Sequence, residues 1–87
     1  MKKQNTVKNP SSVKIARGQH RGHNWCMWRD EDLFVVQMAV TLGKLGGIDY
    51  MAECDATFDG VLDKIKARAD RSIDNYTRKW PSDPVIA

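Results

Sequence analysis

With 87 residues, 41% apolar and 29% charged, the chain has room for one small domain with a marginal core. Its longest apolar stretch, Leu33 to Val40, is interrupted by Gln37 and is too short for a membrane-spanning helix. The net charge of +3 is uneven, with +6 over residues 1–24, −5 over 25–60 and +2 over 61–87.

In chain order, residues 1–24 combine six bases with Pro10, Gly18 and Gly22 and show little apolar periodicity. They are expected to form a flexible basic arm. Two cysteines without an apolar leader over Met1 to Asn9 point to a reducing, cytoplasmic setting. A first helix is expected from Asp30 or Glu31 to about Leu42, with carboxylates at the positive end of its dipole and Trp28 stapled outside. Gly43 and Gly46-Gly47 would end it. Its apolar arc leaves only Gln37, Thr41 and Lys44 as a polar stripe, wider than a small monomer needs.

A short second helix is read over Ile48 to Cys54. Thr57 then caps a third helix, entered at Phe58, on which Val61, Ile65, Ala69, Ile73, Tyr76 and Trp80 recur every three or four residues. Pro81 and Pro84 forbid its continuation. These elements predict an all-α fold, with a domain over 25–80, the arm before it and a short tail over 81–87. The outer half of the last helix, Ile73, Tyr76 and Trp80, is expected to form a dimer or partner surface.

Trp28-Arg29-Asp30-Glu31-Asp32-Leu33 resembles the tryptophan-and-acid opening of Myb/SANT-like domains. Ile48-Asp49-Tyr50-Met51-Ala52-Glu53 lies where that family has its second helix. Thr57-Phe58-Asp59-Gly60-Val61 looks like its capped third helix, and the match spans about 42 of the 87 residues. The resemblance implies a three-helix, homeodomain-like helix-turn-helix bundle that places its third helix in the major groove of double-stranded DNA.

The expected function is that of a small DNA-binding regulator in transcription control, of a kind found in bacteria or phage. Thr57, Leu62, Lys64, Lys66 and Arg68 would enter the groove, and Lys14, Arg17 and Arg21 would hold the phosphate backbone. Asp63 and the acidic middle oppose this, because they would face phosphates. They suit a second reading, a protein-interaction module docked on a larger nucleic-acid machine such as RNA polymerase. His20, His23, Cys26 and Cys54 offer zinc-ligand types without a paired Cys-x-x-Cys, so no metal is expected. No nucleophile–base pairing or phosphate-cradling loop is present, and neither catalysis nor a cofactor is expected.

Overall fold

A computed structural model describes residues 14–85, and in them the expected all-α bundle is replaced by a four-stranded sheet carrying one long helix. The strands are β1 (Lys14–His20), β2 (His23–Asp30), β3 (Leu33–Thr41) and β4 (Ile48–Asp55), paired antiparallel in the order β1-β2-β3-β4. A single turn, α1 (Gly43–Gly46), lies between β3 and β4, and α2 (Phe58–Lys79) follows. This corrects the homeodomain-like, helix-turn-helix reading. The segments matched to the first two Myb/SANT helices are strands, and residues 14–20 belong to the sheet. Residues 1–13 of the expected arm lie outside the described residues.

The physical reason is clearest in β3. Val36, Met38 and Val40 are buried, whereas Val35 and Ala39 alternate with them on the opposite face. An apolar circumference too wide for a helix is thus a strand with apolar residues on both sides. Four of its nine residues, Val35, Val36, Val40 and Thr41, are β-branched and favour the pleated backbone. Asp30-Glu31-Asp32, read as a helix start, closes the β2–β3 hairpin, where Glu31 takes a φ of 55°. At the β1–β2 hairpin Arg21 and Gly22 have φ of 53° and 83°, the left-handed pair that a two-residue primed turn requires.

The helix α2 spans 22 residues, and the Thr57 side chain caps it by accepting from the Gly60 N–H at 3.0 Å. Val61, Ile65, Ala69 and Ile73, each four residues apart, form its buried stripe. They meet Met27, Val36, Met38, Val40 and Met51 from the sheet. The helix packs against β3 and β4. Trp25 lies over Gly18, where a Cβ would come within 2.6 Å of the indole, so β1 presents bare backbone to that ring. Asp83 ties the segment after α2 to α1: its carboxylate accepts the Lys44 and Leu45 N–H groups, each at 2.9 Å, and the Tyr76 hydroxyl. No described helix is long and apolar enough to cross a membrane.

His23, 5% exposed at the start of β2, is held below its ordinary value of 6.5, chiefly by burial and then by the charges of Arg21 and His20. The unfolded chain therefore takes up a proton on this residue at a pH where the native chain does not. Stability should fall as pH drops below 6.5. Asp55, Asp70 and Asp83 are held below 3.8 and stabilise the fold above that value, an effect lost in stronger acid. Replacing His23 with Leu should flatten the stability profile just below pH 6.5 and leave the acid limb in place, as urea titrations across pH would reveal. Ile65→Ala should cost about 2–5 kcal/mol in the same measurement, because it opens a cavity under the sheet.

Candidate functional site

With α2 on one side, no other described element covers the second face of the sheet, and its outward side chains follow from the strand register. Lys14, Trp28, Val35 and Cys54 make one row across the strands, and Arg17, Cys26, Gln37 and Ala52 make the next. In a third, Gln19 opposes Asn24 and Ala39 opposes Tyr50. The last two rows, with Lys14, line a trough of about 760 Å³. Small side chains at Cys26, Ala39 and Ala52 keep its floor low, while β1 supplies a wall with Lys14, Arg17 and Gln19. Tyr50, 75% exposed, stands on the opposite side. The lining carries two cations and no carboxylate. A smaller hollow of about 340 Å³ beside Leu33, Val35 and Cys54 continues the face towards the β2–β3 hairpin.

The acids of β4 are turned the other way. Asp55 meets the Lys64 ammonium at 3.1 Å, Glu53 meets the Arg68 guanidinium at 2.9 Å, and Asp49 accepts from the Ser72 hydroxyl at 2.6 Å. Asp55 and Glu53, two apart on β4, thus face Lys64 and Arg68, four apart on α2, because two strand residues and one helix turn advance by similar distances. The Lys64 hydrogen bond holds the Asp55 carboxyl below its usual range, and Asp55 in turn raises Lys64. On the other flank Asp70 meets His20 at 2.8 Å and Arg21 at 3.1 Å, and Arg21 also reaches Asp74 at 3.4 Å. Asp70 is held low, first by the His20 hydrogen bond, and Arg21 is raised, first by Asp70.

The residues expected to touch DNA therefore separate. Lys14 and Arg17 lie together on the trough wall, and Arg21 sits in the hairpin turn against the helix. Thr57 is the α2 cap, while Leu62 is half-buried against the core. Lys64 and Arg68 are joined to β4, each also donating to a backbone carbonyl, of Cys54 and Ala52 respectively. Lys66 is half-buried on α2, away from the trough. Of the expected partner surface, Ile73 is 4% exposed in the core and Tyr76 is bonded to Asp83. Only Trp80, 42% exposed, remains substantially accessible. The four zinc-ligand types fall on opposite sides of the sheet: His20 and His23 face the helix side, Cys26 and Cys54 the open side. Among the described residues no three His, Cys, Asp or Glu side chains are grouped to hold a metal ion.

Gln19, Asn24, Gln37 and Tyr50 escaped the sequence reading. Two-residue alternation over 14–20, 23–30, 33–41 and 48–55 is the signal that brings them to one face. No protein-family model, curated protein or solved structure matches the chain.

Proposed function

We propose that the open sheet face binds single-stranded nucleic acid. The observation that carries this is the make-up of the trough: Lys14 and Arg17 on one side, Tyr50 on the other, amides between them, and no carboxylate in the lining. Cations facing an exposed aromatic across a trough suit a chain of phosphates whose bases are free to stack. Four strands at about 4.8 Å spacing give a face roughly 14 Å wide between its outer strands. The major groove, about 12 Å wide, admits a helix or a two-stranded ribbon. A single strand lies on such a surface without that limit. Of the acidic middle, the β4 carboxylates face α2 and stay out of the trough, whereas Asp30, Glu31 and Asp32 lie at the β2–β3 hairpin, beyond it.

Full-length protein should bind a mixed-sequence single strand more tightly than the matching duplex, with affinity falling as salt rises. Replacing Lys14 and Arg17 together with Ala should weaken binding and make the log–log salt slope shallower by roughly 1.4, at about 0.7 for each phosphate contact on a single strand. Tyr50→Ala should weaken binding by about 5- to 150-fold, the worth of one stacked base, without altering the circular dichroism spectrum. Equal affinity for duplex and single strand, or indifference to these substitutions, would refute the reading. Parallel DNA and RNA oligonucleotides of one sequence distinguish the two sources of the strand.

A further inference from the structure

We propose that Gln37 reads the Watson–Crick edge of an unpaired base seated beside Tyr50, an assignment that rests on the nucleic-acid reading of the open face. Gln37 lies mid-way along β3 and is exposed. Cys26 and Ala52 stand directly opposite it on the neighbouring strands. Its neighbours two residues away along β3 are Val35 and Ala39, which point to the same side. Its carboxamide is therefore the one strong hydrogen-bonding side chain at the centre of an apolar floor.

The other amides of the trough are already engaged with each other, Gln19 donating to the Asn24 carbonyl at 2.9 Å. Gln37 makes no side-chain hydrogen bond among the described residues, and its carboxamide carries both a donor and an acceptor. Tyr50 opposes Ala39, two residues along β3, and is thus a diagonal neighbour of Gln37 on the adjacent strand. Diagonal pairs stand about 7–8 Å apart, within reach of an aromatic and a long side chain acting on one group. A base with its face on Tyr50 and its edge on the floor meets the carboxamide.

Each natural base presents a donor next to an acceptor on its Watson–Crick edge, the pattern a carboxamide complements. In a duplex those atoms are taken by the opposite strand. Gln37 accordingly selects unpaired bases.

The test compares oligothymidine with an oligomer of N3-methylthymidine of the same length and charge, by fluorescence anisotropy with the full chain. Methylation keeps the stacking surface and removes the donor of the edge. Wild-type protein should bind the methylated strand about 2- to 12-fold more weakly, the net worth of one hydrogen bond. Gln37→Leu should bind both strands at that weaker level, whereas Tyr50→Ala should weaken both and keep their ratio. Equal binding of the two strands by the wild type would overturn the assignment and leave the nucleic-acid reading standing, as would full discrimination by Gln37→Leu. Binding of neither strand would overturn both. Because the first comparison uses unaltered protein, it does not depend on any variant folding.

Discussion

One stripe of four side chains, Val61, Ile65, Ala69 and Ile73, holds the domain together, and it faces in one direction only. A four-stranded sheet has two faces, and a single helix covers one of them. The described chain supplies no second layer, so the division into a packed side and an open side follows from the number of elements. The open side is consequently where alternation of polar and apolar residues breaks from core logic. Its small residues on the central strands and cations on an edge strand make a concave surface, where a core-facing surface would be built of large aliphatic side chains.

The charges obey the same division. Lys64, Arg68 and Ser72 face the carboxylates of β4, while Asp70 and Asp74 face the β1–β2 hairpin. Exposed pairs of this kind add little stability singly. Their larger effect is on register, since a one-residue slip of β4 would turn its acids to the open face and leave the helix cations facing apolar side chains. Inward-directed carboxylates also make β4 a poor template for a further strand. At the other edge β1 is irregular between Lys14 and Ala16, which has a similar consequence.

How much of this was legible in the sequence depended on whether a segment buries one side or two. The helix from Phe58 and its Thr57 cap could be read because one apolar stripe recurs at helical spacing and polar residues fill the rest. Leu33 to Thr41 could not, because Val35 and Ala39 are apolar on the open face while Val36, Met38 and Val40 are apolar on the closed one. A continuous apolar run fits either period. β1 was hidden for the opposite reason, since its inward positions include Ala16 and Gly18, whose small size leaves almost no apolar signal. Lys14 and Arg17 were singled out by charge alone. Gln37 and Tyr50 acquire a common address only when β3 and β4 are laid side by side.

The order of the elements along the chain has its own consequence for biosynthesis. All four strands precede α2, so the ribosome releases a sheet before the helix that covers it. Until Ile65 and Ile73 arrive, Met27, Val36 and Val40 have no apolar partner on that side, and the nascent hairpins expose two faces instead of one. Asp83 arrives later still, and with it the carboxylate that satisfies the α1 backbone between β3 and β4. Completion of this fold thus waits for α2 and the segment that follows it, and a chain stalled before α2 would present its most adhesive surface to its neighbours.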